Sequence, residues 1–188
     1  MFRLSLVALT LLILIPLSAQ TRFANLQPTI KNFIQQQKME DRFCFLVDLQ
    51  LHNGKKRFFV YDVLKDSILN AGMVTHGACR EYYLSDVRYS NQPGSECSSK
   101  GKYKIGAQYH GIFGKSYKLY GLDSTNSNAF KRAVVLHAHN SIPDKESYPD
   151  QIPNSQGCPT VSPFFLGLLS KYITQSKKPI LLWVLDRR

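Results

Sequence analysis

Apolar side chains recur at helical spacing near the start of the chain and at alternate positions soon afterwards. Ile30, Phe33 and Ile34 fall on one side of a helix, which predicts that residues 28–39 are helical. Residues 43–51 place an apolar side chain at every second position, which indicates a strand. Two further apolar runs follow, at residues 56–64 and 68–77. Together the three runs predict an antiparallel meander.

The connection between the first two strands contains Asn53 and Gly54. This pair favours a tight two-residue hairpin turn because both residues tolerate positive φ. We therefore expect the two strands to be joined by such a turn.

Loop-like and apolar segments alternate through the rest of the chain. Residues 78–99 and 141–154 are polar or proline-rich and predict loops. Ser162 and Pro163 form a helix start before an apolar pattern of helical spacing. The remaining apolar runs predict strands, at residues 101–111, 115–122, 132–139 and 178–186. The pattern predicts a mainly β fold, a sandwich or barrel-like sheet with short peripheral helices.

The first residues have the features of a secretory signal peptide. Arg3 precedes an apolar run, and a small residue, Ala19, follows it. We predict a signal peptide at residues 1–19, a helical lead-in at 20–40 and one main domain at 41–188. The apolar run is shorter than the roughly 20 residues of a membrane span, so no span is expected after cleavage, although an uncleaved anchor is the alternative. The expected location is the periplasm or cell envelope of a bacterium.

The formal net charge is +11, from 24 basic and 13 acidic residues. Such a charge favours anionic polymers as partners. The basic residues are scattered, and the sequence has no helix-turn-helix, zinc-finger or RNA-binding pattern. Nucleic acid is therefore not an expected partner.

Four cysteines occur, and they differ in their surroundings. Cys79 and Cys97 lie in polar segments, and in an exported protein they are the best candidates for a disulfide. Cys44 lies in an apolar strand and is expected to be a buried free thiol. The absence of a Cys-x-x-Cys pair gives no support for a zinc site, so we expect neither a metal nor a cofactor.

Cys158 stands between Gly157 and Pro159, downstream of His137 and His139 at the end of a predicted strand. A thiol attacks a carbonyl as the thiolate, and a histidine is its usual base. A glycine before the cysteine lets the backbone bend and present N–H groups to an oxyanion. The pattern indicates a nucleophile with a histidine base, and a packed thiol in a tight turn is the alternative.

The segments "VVLHAHN" and "SQGCPTVSP" resemble the catalytic segment of the L,D-transpeptidase family. The resemblance implies a mainly β catalytic domain, a cysteine acyl-enzyme, no metal, and peptidoglycan stem peptides as substrate. Cys158 matches the nucleophile, His137 the base, and Gly157 and Ser155 the residues that shape the turn. The implied reactions are L,D-transpeptidation, which gives 3-3 cross-links, and L,D-carboxypeptidation.

Three positions depart from the family pattern. Gln156 stands where the family has histidine, Ala138 follows His137 where the family has glycine or serine, and Thr160 stands where it has an arginine or asparagine that seats the donor peptide. His139 competes with His137 for the role of base, because side chains two apart on a strand point the same way. His76, before a glycine, imitates the family's histidine and is expected to be a decoy. The cations that can substitute at the donor site are Arg132, Lys102 and Lys104.

Two other functions remain open from the sequence. The changes at Gln156 and Thr160 are compatible with a catalytically weak peptidoglycan-binding domain on the same fold. A sortase-like enzyme shares the order of histidine and cysteine, but it needs an arginine on a later strand, and only Arg187 and Arg188 follow. We also expect Tyr82, Tyr83, Tyr89 and Tyr148, in the two long loops, to line an acceptor groove.

Overall fold

The computed structural model describes residues 22–185. The predicted signal peptide, residues 1–19, lies outside the described residues. The helices are α1 (Gln27–Gln36) and α2 (Pro163–Gln175), and a short 3-10 helix, Ala24–Leu26, precedes α1. The strands are β1 (Phe43–Asp48), β2 (Phe58–Asp62), β3 (Ser67–Gly72), β4 (Gly101–Gly111), β5 (Gly114–Gly121), β6 (Val135–Ala138), β7 (Thr160–Val161) and β8 (Leu181–Leu185).

All eight strands belong to one sheet, in the order β3-β2-β1-β8-β4-β5-β6-β7. The first three strands form the predicted antiparallel meander. β8 enters the middle of the sheet, where it pairs in parallel with β1 and antiparallel with β4. The prediction of a mainly β fold with two short helices is confirmed, and the strands form a single continuous sheet.

Every residue of β1 and of β2 is buried because both faces of the sheet are covered there. Phe45 and Val47 join a cluster that includes Phe165 and Leu169 of α2. The alternate side chains of β1 join a second cluster on the other face, with Ile30 and Ile34 of α1. Cys44 lies in this second cluster as a buried free thiol, as predicted.

Asn53 and Gly54 lie at the centre of a turn between β1 and β2, in which the N–H of Lys55 donates to the carbonyl of His52 at 3.0 Å. The prediction that they alone form a tight two-residue hairpin is wrong, because the connection runs from residue 49 to 57 and neither residue has positive φ. The side chain of Asn53 is buried, donates to the carbonyl of Ile152 at 3.0 Å and accepts from its N–H at 3.3 Å. This long-range pairing fastens the loop at 141–154 to the meander.

Both predicted helices are present, although α1 ends at Gln36, three residues before its predicted end. The helix predicted at residues 28–39 is α1, with a proline in its first turn. At the start of α2 the Ser162 hydroxyl accepts from the N–H of Phe165 at 3.1 Å, which satisfies a helix-end donor. No helix within residues 22–185 is long and apolar enough to cross a membrane.

Candidate active site

Parallel pairing of β6 with β7 brings the two sequence motifs together at one edge of the sheet. His137 of β6 lies opposite Thr160 of β7. Cys158 is two residues before Thr160, in the turn that leads into β7. The strand that carries the histidine is therefore the direct neighbour of the segment that carries the cysteine.

The turn at residues 155–158 is held by the Ser155 hydroxyl. This hydroxyl accepts from the N–H of Gly157 at 3.2 Å and donates to the carbonyl of Cys158 at 2.7 Å. Gly157 has φ of +103°, a conformation that L side chains rarely adopt. A Cβ at this position would lie 2.7 Å from the carbonyl oxygen of Cys97. Both the conformation and the close approach therefore require glycine.

The Cys158 thiol is half-buried and lies against the backbone of the strand that leads to His137. Its Sγ accepts from the N–H of Val135 at 3.5 Å and lies 3.9 Å from the carbonyl oxygen of Ala133. Burial raises the pKa of the Cys158 thiol, while the Val135 N–H and the charge of Arg132 oppose that rise. The protonated thiol is therefore the resting form at neutral pH.

His137 is 4% exposed and is held on both ring nitrogens. Its Nδ1 lies 3.1 Å from the carbonyl oxygen of Ala138, which can only accept, so Nδ1 carries the proton. Nε2 then accepts from the Thr160 hydroxyl at 3.0 Å. The ring of Phe113 stacks on the imidazole with centroids 4.3 Å apart. Burial lowers the pKa of His137, so the imidazole is neutral and its Nε2 lone pair can accept a proton.

Thr160 links the histidine to the cysteine-bearing turn. Its hydroxyl lies between Nε2 of His137 and the carbonyl of Cys158, which is 3.4 Å away. Thr75 holds the backbone of Thr160 from the other side, with bonds of 3.0 and 3.2 Å. Within residues 22–185 neither ring nitrogen of His137 bonds to the thiol. The structure thus brings His137 and Cys158 to one edge of the sheet, with each hydrogen-bonded to other groups.

Among the three candidate cations, Arg132 is the one whose charge acts on Cys158. Its Nη1 donates to Ser90 and Ser99, and its Nη2 donates to Ser95 and to the carbonyl of Cys97 at 2.6 Å. No carboxylate pairs with this guanidinium in the described part of the chain. Arg132 therefore adds an uncompensated positive charge beside the turn.

The other two cations are placed differently. Lys102 forms an ion pair with Asp123 at 3.0 Å. The Lys104 ammonium lies 5.2 Å from the centre of the Tyr120 ring. Neither lysine acts on the pKa of the thiol.

The remaining predicted site residues lie farther from the chemistry. His139 is exposed, and its ring bonds to the Ser141 hydroxyl at 2.7 Å. Gln156 is exposed in the turn. His76 is fully buried and accepts from Arg57 at 2.9 Å, so its Nε2 carries the proton and donates to the carbonyl of Leu84. Burial lowers the pKa of His76 to about 4, and its contacts are those of a structural residue.

The predicted disulfide between Cys79 and Cys97 is present and closes the loop at 78–99. The same loop supplies the Cys97 carbonyl that contacts both Gly157 and Arg132. The disulfide therefore fixes a segment that packs directly against the cysteine-bearing turn.

A cavity of about 590 Å³ opens beside His137. The β4–β5 hairpin tip, the end of β6 and the first turns of α2 form its walls, through Ile112, Phe113, Lys115, Ala138, His139, Asn140, Pro163, Leu166 and Gly167. None of the four loop tyrosines that we expect to line an acceptor groove borders this cavity, and that groove stays a prediction. Tyr148, for example, packs against His52 instead, with ring centroids 5.0 Å apart.

Phe113 is the site residue that the sequence analysis missed. It stands in the segment Gly111–Gly114, where two apolar residues occupy a hairpin tip that would ordinarily be polar. This apolar pair in a turn is the feature of the sequence that could have indicated a functional role for Phe113. Its contact with His137 depends on how far the hairpin extends beyond the sheet, which local patterns do not determine.

The protein thus has a mainly β domain with a cysteine and a histidine at one edge of its sheet. The family model of the L,D-transpeptidase catalytic domain matches residues 18–182. The chain belongs to this family, since the match covers most of its length.

Solved structures with a similar arrangement include three bacterial proteins. One is the L,D-transpeptidase from Xylanimonas cellulosilytica, at 13% identity and a TM-score of 0.46, covering 76% of this chain and 60% of that one. Bd1075 of Bdellovibrio bacteriovorus has 15% identity and a TM-score of 0.48, covering 80% and 49%. The helical cell shape determining protein Pgp2 from Campylobacter jejuni has 9% identity and a TM-score of 0.47, covering 84% and 56%. The chain therefore spans about half to three fifths of their lengths. No curated protein matches it.

Proposed function

We propose that this protein is an exported L,D-transpeptidase in which Cys158 attacks the carbonyl that follows the third residue of a peptidoglycan stem peptide. The attack forms a thioester and releases the amine of the following residue. An acceptor amine then gives a 3-3 cross-link, or water gives a shortened stem. Family membership supports this reaction, and the observation that carries it for this chain is the register of His137 opposite Thr160.

His137 supplies the proton transfers. The thiol turns about its Cα–Cβ bond from Val135 toward Nε2, a change between staggered rotamers. Nε2 takes the thiol proton and returns it to the leaving amine, and in the second step it takes a proton from the acceptor. When Nε2 is protonated it donates to the Thr160 hydroxyl, which then turns its own proton toward the Cys158 carbonyl.

The turn supplies the oxyanion donor. The Gly157 N–H is already used by the Ser155 hydroxyl, so the N–H of Cys158 is the donor that remains for the developing negative charge. Arg132 adds positive charge on the same side of the turn. The neighbouring cavity receives substrate, and His139 and Lys115 at its wall contact the bound peptide.

The test uses purified protein with a disaccharide-tetrapeptide, followed by mass analysis of the products. We expect tripeptide and cross-linked dimer, and a covalent adduct of a carbapenem at Cys158. Cys158→Ser should abolish both the products and the adduct. His137→Ala should slow adduct formation by about 10²–10⁴-fold, the usual range for a positioned acid–base group.

His139→Ala is the matched control, since its ring contacts Ser141 on the exposed side of the site. We expect a much smaller loss than for His137→Ala. Equal losses in the two variants would contradict the assignment of the base.

A second candidate is a peptidoglycan-binding domain with weak turnover. The observation in its favour is that both ring nitrogens of His137, and the thiol, bond to other groups. Binding of peptidoglycan with neither product nor carbapenem adduct would support this candidate and contradict the enzyme.

A further inference from the structure

Aromatic rings and lysines cover the outer face of the β4–β5 hairpin. The Tyr120 ring lies flat over Gly106, where a Cβ would come within 2.3 Å of it. Phe130 stacks on Tyr120 with ring centroids 5.2 Å apart and an angle of 9° between the ring planes. Phe130 is 58% exposed, so its ring presents an open surface above the partly buried Tyr120. We call Tyr109, Tyr120, Phe130, Lys104 and Lys118 the aromatic platform.

Two lysines border these rings. The Lys104 ammonium lies 5.2 Å from the centre of Tyr120. The Lys118 ammonium lies 4.1 Å from the centre of Tyr109 and 5.8 Å from that of Phe130. Cations and exposed ring faces thus occur side by side, each able to contact a ligand that crosses the hairpin.

The segment that builds the platform has very few acidic residues. Between residues 97 and 143 the one acidic residue is Asp123, and it pairs with Lys102. Lys104 and Lys118 form no ion pair with a carboxylate within residues 22–185. The platform is therefore a region of uncompensated positive charge, which attracts anionic ligands.

The platform lies on the same face of the sheet as the catalytic histidine. Lys118 pairs with Val135, and Val135 is the residue whose N–H contacts the Cys158 thiol. In the next row, Tyr109 pairs with Ser116 and Ser116 pairs with His137. Residues paired across neighbouring strands share one face, and strands are about 4.8 Å apart. A ligand chain on the platform therefore runs directly toward the thiol.

We propose that the aromatic platform binds the glycan strand of peptidoglycan. Sugar rings present flat C–H faces that stack on the exposed ring of Phe130, which Tyr120 supports from beneath, and stem-peptide carboxylates pair with Lys104 and Lys118. Rings are suited to this because their faces carry partial negative charge and large apolar area. The inference rests on the proposed function, and it adds a site for the polymer beside the site for the reacting peptide.

Co-sedimentation of the protein with insoluble peptidoglycan tests the proposal. Phe130→Ala should weaken binding by about tenfold, which corresponds to about 1.4 kcal/mol. The double change Lys104→Glu and Lys118→Glu should weaken it by a similar factor or more. The controls make the same changes on α2, at exposed Phe164 and Lys171, and should bind as the parent does.

Two further measurements separate the outcomes. Carbapenem adduct formation at Cys158 should be unchanged in the platform variants, which shows that the fold and the thiol are intact. Peptidoglycan stripped of its stem peptides should bind less strongly, because the carboxylates are gone. Platform variants that sediment like the α2 controls would overturn the proposal, and so would complete loss of binding to the stripped glycan, because its sugar rings are still present. Failure of the proposed function appears separately, as an unreactive Cys158 in the parent protein.

Discussion

Replacement of Gly157 by alanine should destabilise the protein through two separate effects. Its φ of +103° costs an L residue about 1–2 kcal/mol. The new Cβ also lies 2.7 Å from the Cys97 carbonyl, which cannot move freely because Arg132 donates to it at 2.6 Å. Overpacking of this kind adds about 1–3 kcal/mol. We expect a total of about 2–5 kcal/mol in the free energy of unfolding.

Two other glycines separate these effects. Gly114 has φ of +70° and open space around it, so Gly114→Ala carries the conformational cost alone, about 1 kcal/mol. Gly167 lies in α2 with ordinary φ and open space, so Gly167→Ala should stabilise the helix by about 0.5–1 kcal/mol.

Urea unfolding of the three disulfide-intact variants measures the series. From the most to the least stable protein, the order should be Gly167→Ala, the parent, Gly114→Ala and Gly157→Ala. Thermal unfolding should show a loss of about 4–20 °C for Gly157→Ala, at about 2–4 °C per kcal/mol for a domain of this size. A cost for Gly157→Ala no larger than that for Gly114→Ala would refute the close approach to Cys97.

Three further predictions concern the site. Thr160→Val should slow acylation by about 10–100-fold, because a hydrogen bond to a charged imidazolium contributes about 1.5–3 kcal/mol. Thr160→Ser keeps the hydroxyl, and its acylation rate should stay within about threefold of the parent rate. Equal rates for the two variants would contradict a role for the hydroxyl. Because burial lowers the pKa of His137, the base form is present above that pKa and lost below it, so acylation should rise with pH through a value below about 6.5 and then stay level. Alkylation of Cys158 by iodoacetamide should instead keep rising past about pH 8.5, because burial raises the pKa of the thiol, and a common profile for both reactions would exclude His137 as base. Reduction of the disulfide between Cys79 and Cys97 should lower the free energy of unfolding by about 3 kcal/mol, measured with and without reductant, and should also slow acylation of Cys158. Unchanged acylation would show that the loop at 78–99 does not support the turn at 155–158.

Features that depend on neighbouring residues could be predicted from the sequence. Ser162 and Pro163 determine the start of α2, because capping is a local interaction. The strands follow from alternation, and the positions of Cys158 and His137 in the turn and at the strand end follow from the motif. The disulfide was predictable because Cys79 and Cys97 lie in polar loops, whereas Cys44 lies in an apolar strand and Cys158 belongs to the histidine–cysteine motif.

Long-range contacts could not be predicted in the same way. Asn53 has the sequence of a hairpin turn, yet its partner is Ile152 on a distant loop. The Thr160 hydroxyl bonds to His137 because two separate strands pair in one particular register. Phe113 reaches the imidazole through the length of a hairpin. Each contact is decided by tertiary packing, which no local pattern encodes.

The central place of β8 has a consequence for how the protein reaches its native state. Within the sheet of residues 22–185, β8 joins the meander of β1–β3 to the group β4–β7, because Leu182 pairs with Phe45 on one side and with Tyr103 on the other. Pairings between residues so far apart in the chain slow folding, because a large loop must close before any contact forms. Until β8 inserts, each half presents an unpaired strand edge that can associate with another chain. Substitutions in β8 therefore affect the yield of soluble protein before they affect the chemistry.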